Sequence, residues 1–437
     1  MKGRNRNSSL SALLFVIIAG GLILSNFGVS FAASKPEGEK KPIVLGWTAT
    51  LSGPMSTTVD IHRVFSKLVD YVNKEEGGIA GHPIELIVAD TESSPTKAVI
   101  GAKKLLTEDK VQFLIGDRVT GICIPVGLTS SKYKTVHLAI PGADIFDTII
   151  KKKAGPESYR WNFCTPVSNP MFDIGTTSAK LPIMLGKKRV FSMYPETSFG
   201  KGMFAAFKKY AEKAGLEIVG TTTYPPNATT FGPQIAAIRK AKPDLIFNHG
   251  ADYGSAFSIA ALREAGITQP IQVYYSLTSP ETLQSEKIRE AYLKDPGVYV
   301  LGPVGGCWED LPKNDPRRIK LEEWSKLHEK FFGEKIYHSF QADGFAVMAV
   351  IKTVWGRMLK DHPDILNKDL DTIRATVRDY METTPLPISH GGMVRITPED
   401  HVGIVPGTGI VASQFRWPPP YKFIPGSEAA TPPWRKK

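Results

Sequence analysis

The stretch from Lys41 to Asp90 constrains the fold most, because it reads as strand, tight loop, amphipathic helix, Gly-Gly turn and strand. Ile43 to Ala49 is a short apolar run with β-branched residues, suited to a strand covered on both faces. Ser52-Gly53-Pro54 breaks that strand. Ile61, Val64, Phe65, Leu68, Val69 and Val72 then recur at helical spacing, so one helix face packs on a sheet. Gly77-Gly78 stops the helix and Ile84 to Ala89 supplies the next strand. A parallel sheet needs such a crossover, and ligands of open α/β sheets sit at the C-terminal strand edge. The loop from Leu51 to Asp60 is therefore the first candidate for ligand contact.

The alternation continues. Glu92-Ser93-Ser94-Pro95 opens a helix with Ala98, Ala102, Leu105 and Leu106 on its buried side, and Val111 to Ile115 reads as a strand. The loop Gly116 to Gly121 leads into a helix through Leu128, and Thr135 to Ile140 is a strand ending in Pro141-Gly142-Ala143-Asp144. A second series follows Phe163, with strands at 189–193, 215–219, 244–248 and 271–275 and helices at 200–214, 231–240 and 253–265. Val298 to Leu301 is a further strand, and helices are expected at 317–332, 340–359 and 370–382. The class is α/β with parallel sheets. Roughly 400 residues exceed one ordinary core, so two lobes facing each other across a cleft are expected.

These features resemble the type I periplasmic solute-binding proteins of ABC importers, the leucine/isoleucine/valine-binding protein family. The resemblance rests on the strand, Ser52-Gly53-Pro54, the helix, Gly77-Gly78-Ile79-Ala80-Gly81 and the strand ending at Asp90, and it runs from Ile43 to about Gly302. It implies two Rossmann-like lobes joined by a multi-strand hinge. Residues 42–160 plus 303–395 would form the N-terminal lobe, and 161–302 plus 396–437 the C-terminal lobe.

Residues 1–32 read as a signal peptide: Lys2, Arg4 and Arg6, then an apolar run from Leu10 to Leu24, then Ser30-Phe31-Ala32 with cleavage near Ala32. The expected location is the periplasm. The formal charge of +11 is spread along the chain in short runs such as Lys151-Lys152-Lys153, with no basic and aromatic interleaving, so nucleic-acid binding is not expected. Cys123, Cys164 and Cys307 lack metal-ligand spacing; buried packing is the expected role for each, and one disulfide of unspecified pairing remains open.

There is no G-x-S-x-G, H-E-x-x-H, P-loop or Cys-x-x-Cys. Gly407-Thr408-Gly409 fits a dinucleotide fingerprint only loosely and reads as a turn, and His137 in its apolar strand reads as a satisfied core residue. No cofactor or metal is called for. The hydroxyl of Thr120 and the amides opening the helix after Gly116–Gly121 can hold a carboxylate, because unpaired N–H groups point outward there. The resemblance places Thr120 and Gly121 at the family's carboxylate site. Gly142 and Ala143 fall in its Pro-x-Ala-Thr loop, where Asp144 replaces the Thr; an acid there repels a carboxylate and accepts from an amine or hydroxyl. By the same matching Thr58 and Phe199 fall on family Tyr positions and Asp252-Tyr253 on a strand-end loop. Ser276-Leu277-Thr278 stands where amino-acid binders carry a Glu. Arg118 is weighed as an added cation for an acidic ligand against a surface Arg, Trp47 as a cavity wall against a core residue, and Asp343 as an N-cap or interlobe residue.

The resemblance implies a monomeric, non-catalytic binding protein that delivers a small molecule (an amino-acid derivative, amide or organic acid) to an inner-membrane ABC permease with its ATPase subunits. A ligand sensor of the same fold and a secreted α/β hydrolase are the alternatives.

Overall fold

The computed structural model describes residues 40–140, 148–165, 171–387, 396–401, 410–419 and 421–427. The leader, the Pro141–Asp144 loop and Gly407-Thr408-Gly409 lie outside them. The first sheet is built as the opening stretch dictates. β1 (Ile43–Ala49) is followed by α1 (Val59–Glu75) and β2 (Ile84–Asp90), then by α2 (Pro95–Thr107) and β3 (Phe113–Ile115). α3 (Thr120–Lys132), β4 (His137–Ala139), a four-residue α4 (Pro156–Tyr159) and β5 (Asn162–Cys164) complete it. The order β2-β1-β3-β4-β5 is parallel throughout, with Trp47 of β1 held between Val88 and Ile115.

Local chemistry sets the element ends. Ser94 caps α2 by accepting from Lys97 N, with Pro95 in the first turn where its missing N–H costs nothing. Gly77 and Gly78 turn the chain with φ of 71° and 83°; a Cβ on Gly78 would lie 2.1 Å from the His82 carbonyl oxygen, so only glycine fits.

The second sheet opens with α5 (Met171–Met184) and β6 (Arg189–Pro195). It continues through α6 (Ser198–Lys213), β7 (Glu217–Tyr224), α7 (Gly232–Ala241), β8 (Leu245–Asn248), α8 (Tyr253–Glu264) and β9 (Ile271–Tyr274). α9 (Glu286–Leu293) and β10 (Val298–Gly302) follow. The chain then forms α10 (Pro316–Phe332), α11 (Ser339–Asp361) and α12 (Leu370–Thr383), and returns as β11 (Val411–Gln414) and β12 (Lys422–Phe423). The sheet order is β12-β11-β10-β9-β8-β6-β7, parallel except for the antiparallel β10-β11-β12 edge.

α11 packs on α1 of the first sheet, close enough that a Cβ on Gly344 would lie 2.9 Å from the Ile61 carbonyl oxygen. β11 and β12 return the C-terminal segment to the second sheet. β5 pairs into the first sheet although the expected lobe boundary, at residue 160, precedes it. The sequence reading passed over β5, α5 and α9: β5 is three residues long, and Gly175 and Pro182 interrupt the helical signal of α5.

The core joins both sheets. Phe65, Phe113, Phe207 and Phe247 are each under 2% exposed, and burying such a side chain contributes roughly 1.5–3 kcal/mol. The three cysteines are buried, Cys123 and Cys164 in one apolar cluster and Cys307 in the main core. His137 is fully buried, its Nδ1 2.8 Å from Asn162 Oδ1, and burial lowers its pKa to about 4, so it sits neutral in the core as expected. Among the described residues no helix is long and apolar enough to cross a membrane.

Candidate functional site

A cavity of about 350 Å³ lies between the sheets. Its lining comes from the segment following each of eight parallel strands. Met55 and Thr58 follow β1, Ser93 follows β2, Arg118 to Ile122 follow β3 and Ile140 follows β4. Glu196 to Phe199 follow β6, Pro226 β7, Ala251 β8 and Ser276 β9. This is the strand-end placement that parallel sheets favour.

The first-sheet wall is polar at its centre. α3 begins at Thr120, and its N-cap, Val119, makes no side-chain capping bond. The loop ahead of it is held from below by Asp117, whose carboxylate accepts from Val119 N (2.7 Å), Thr50 Oγ1 (2.5 Å) and Thr91 Oγ1 (3.4 Å). Burial raises Asp117 to about 6, against the pull of those donors. The sequence reading did not single out Asp117; a polar residue immediately past a buried strand was the available signal.

Arg118 lines the cavity and is 9% exposed. Its Nη1 lies 3.1 Å from Asp343 Oδ2, its Nη2 donates to the Tyr275 hydroxyl, and its guanidinium lies over the Phe340 ring at 5.3 Å. The surface reading of Arg118 is therefore corrected: the residue is buried between α11 and the segment after β9. Asp343 is not an N-cap either. His338 caps α11 by accepting from Phe340 N, and Gln341 reaches back to the His338 amide. His338 Nε2 donates to the Tyr275 carbonyl (2.9 Å), which fixes the residue that meets Arg118.

The second-sheet wall is more apolar. Phe199, one residue into α6, stacks obliquely on Tyr274 at 5.3 Å, and Pro226 and Ala251 extend the surface. Ser276 and Thr197 add hydroxyls, and Glu196, exposed, accepts from Thr223.

The structure thus brings Thr58, Arg118, Thr120, Gly121 and Phe199 to one cavity. Gly142, Ala143 and Asp144 lie outside the described residues. Asp252, Tyr253 and Leu277 do not line it: Asp252 is fully buried and caps α8 through Ser255 N (2.8 Å) and Ser255 Oγ (3.0 Å), and Leu277 is in the core. Tyr253 acts instead at the joint between the sheets, its amide donating to the Pro54 carbonyl at 3.2 Å. Thr57 Oγ1 donates to the Ala251 carbonyl at 3.0 Å beside it. Trp47 is 3% exposed and packs edge-on to Phe65, a core residue and not a wall of this cavity. Ser93, Tyr274 and Ser276 were not among the expected contacts; each lies at or just beyond a strand end, which is the signal that could have found them. Among the described residues no group of His, Cys, Asp and Glu could hold a metal.

The comparisons agree with this geometry. The family model described as periplasmic binding protein matches residues 42–409. A Leu/Ile/Val-binding protein homolog 3 of Brucella melitensis is 23% identical over 233 residues, covering 52% of this chain and 59% of that relative. The Leu/Ile/Val-binding protein BraC3 of Rhizobium johnstonii is 26% identical over 216 residues, covering 48% of this chain and 54% of that relative. The chain thus spans little more than half the length of each. An extracellular ligand-binding receptor from Rhodopseudomonas palustris HaA2 superposes with a TM-score of 0.75 at 23% identity, over 88% of this chain and 100% of the other. A cavity fed by the strand ends of two parallel sheets, together with a family match over most of the chain, places this protein in the periplasmic binding protein family, with the type I fold of the Leu/Ile/Val-binding proteins.

Proposed function

We propose that the protein captures a small carboxylate-bearing solute, amino-acid-like or an organic acid, and delivers it to an inner-membrane ABC permease with its ATPase subunits. The observation that carries this reading is the two-faced cavity. The amino end of α3 and the Thr120 hydroxyl suit an anion, and Phe199 with Tyr274 opposite suit an apolar body. Arg118 adds positive potential although it is already paired. Gly121 and Thr58 add to the anion side; by the family resemblance Gly142 and Ala143 belong with them, and Asp144 would accept from a hydroxyl or amine of the solute. Asp252, Tyr253 and Leu277 support the second wall from behind.

The lobes, 42–160 plus 303–395 and 161–302 plus 396–437, close on the solute by a hinge motion. The leader is cleaved near Ala32 and the mature protein is a periplasmic monomer. Binding requires no chemistry on the solute, so no catalytic group is assigned.

A thermal-shift series with leucine, isoleucine, valine and benzoate, each beside its primary amide, tests the reading. At least one acid should raise the melting temperature while its amide does not, because a ligand that binds only the folded state stabilises it. Thr120→Ala should shrink that shift. An acid and its amide acting alike, with the shift intact in Thr120→Ala, would refute the anion site.

A further inference from the structure

Below the cavity, where α1 of the first lobe meets the segment after β9, one guanidinium serves three carboxylates. Asp60 in the first turn of α1 is fully buried, and Arg63 one turn on approaches it at 2.6 Å. The Arg63 guanidinium lies 4.7 Å over the Phe332 ring. Glu281, carried by the second sheet between β9 and α9, and Glu334, between α10 and α11, face the same cation. Glu334 also accepts from Gln341 Nε2 at 3.3 Å. Asp60 Oδ2 and Glu281 Oε2 are buried and have no hydrogen-bond partner. The other titratable groups facing the cluster are Tyr337, Tyr253 and His328, the last 2.7 Å from the Glu334 carbonyl through Nδ1.

With every group charged, three negative charges would share one positive charge, with Asp60 fully buried and Glu281 half-buried while Arg63 and Glu334 reach solvent. A buried carboxylate without a partner is costly enough that it takes up a proton instead. Burial, and then the Asp60 charge, raise Glu281 to about 8, while Arg63 pulls it down. Burial likewise raises Asp60 against the pull of Arg63.

We propose that Asp60, Glu281, Glu334 and Arg63 form a proton-linked latch: closing the lobes brings Glu281 onto Asp60 and takes a proton from solvent, so the closed form gains on the open form as the pH falls. The latch rests on lobe closure and not on which solute is bound.

The sign follows from the two states. In the open form Glu281 faces water and titrates near the ordinary glutamate value. In the closed form it is raised, so between those two values the closed form holds the extra proton. The advantage of the closed form is full in acid, is lost as pH rises toward about 8, and is flat above it. One such proton makes the closed-to-open ratio fall about tenfold from pH 7 to pH 9.

The test uses the whole mature chain without added solute and two measurements. Spin labels at Lys103→Cys on α2 and Lys287→Cys on α9, both exposed positions, report the fraction closed, and the infrared band of protonated carboxyl groups reports the proton. The wild-type closed fraction should drop between pH 7 and pH 9 together with loss of the band. Glu281→Gln, a neutral isostere, should hold its closed fraction over that range and lack that component of the band. Asp60→Asn gives an independent check, because removing the neighbouring charge should move the transition to lower pH. A closed fraction that is substantial but equal at both pH values, or a Glu281→Gln protein with the wild-type slope, overturns the latch alone. A single open distance at every pH overturns lobe closure and the latch with it.

Discussion

Two arginines at the meeting of the lobes sit in contrasting company. Arg118 is 9% exposed and pairs with the buried carboxylate of Asp343, with the Tyr275 hydroxyl taking a second donor. Arg63, with its side chain 46% exposed, answers Asp60, Glu281 and Glu334 together, so charge there does not cancel. A buried guanidinium paired with a buried carboxylate acts as a strut, because removing either partner strands the other charge. An under-compensated cluster takes up a proton instead, and its geometry becomes a function of pH. Arg118 borders the cavity, and Asp60, Arg63, Glu281 and Glu334 lie outside its lining.

The contrast breaks most visibly at Arg118. Arg118→Met strips the cation from buried Asp343 and should destabilise the protein by about 3 kcal/mol, read from urea unfolding. A loss below about 1 kcal/mol, the scale of an exposed pair, would mean that Arg118 is no strut.

A subtler cut is Tyr275→Phe, which keeps the ring over the guanidinium and removes only its hydroxyl acceptor. Hydrogen bonds to charged groups are worth about 1.5–3 kcal/mol, so binding of whichever acid shifts the wild-type melting temperature should weaken about tenfold by calorimetry. The fold should melt within a few degrees of wild type. Unchanged affinity would mean that the hydroxyl does not hold the closed lobes.

Arg63→Met should have a smaller effect at pH 6, on the order of 1 kcal/mol after allowing for its partial exposure, and a growing one toward pH 9. Arg63 holds down the pKa of Asp60, Glu281 and Glu334. Its loss lets the closed form bind more protons, so stability falls more steeply with rising pH. A flat difference between pH 6 and pH 9 would remove the distinction between the two arginines.

Thr120→Ala touches neither cluster and sets the baseline. Because Thr120 is buried, its loss should cost about 1 kcal/mol of stability, with acid binding reduced about fivefold, the scale of one neutral hydrogen bond.

The reading from residues alone reached the first sheet almost element by element, because β1, α1 and β2 carry their periods openly and Gly77-Gly78 and Ser94-Pro95 mark the ends. It also found five cavity residues: Thr58, Arg118, Thr120, Gly121 and Phe199. The last four adjoin a glycine-bearing loop or helix start after a strand. It did not pair Arg118 with Asp343, because they lie 225 positions apart in sequence and meet only when α11 folds back on α1. Asp252 looked like a ligand group and is instead a helix cap, its carboxylate taken up by the Ser255 amide and hydroxyl three residues on.

The amino-acid order by itself determined the local matters: strand and helix periods, the turns that join them, and the strand-end position of the hydroxyls and amides, all governed by neighbours a few residues apart. Only the tertiary structure decided which charges share a joint. Asp60, Glu281 and Glu334 come from α1, the segment after β9 and the segment before α11, and no spacing along the chain announces that one guanidinium must serve them all. The ionisation of each depends on burial and on the others' charge, and both exist only once the sheets have come together.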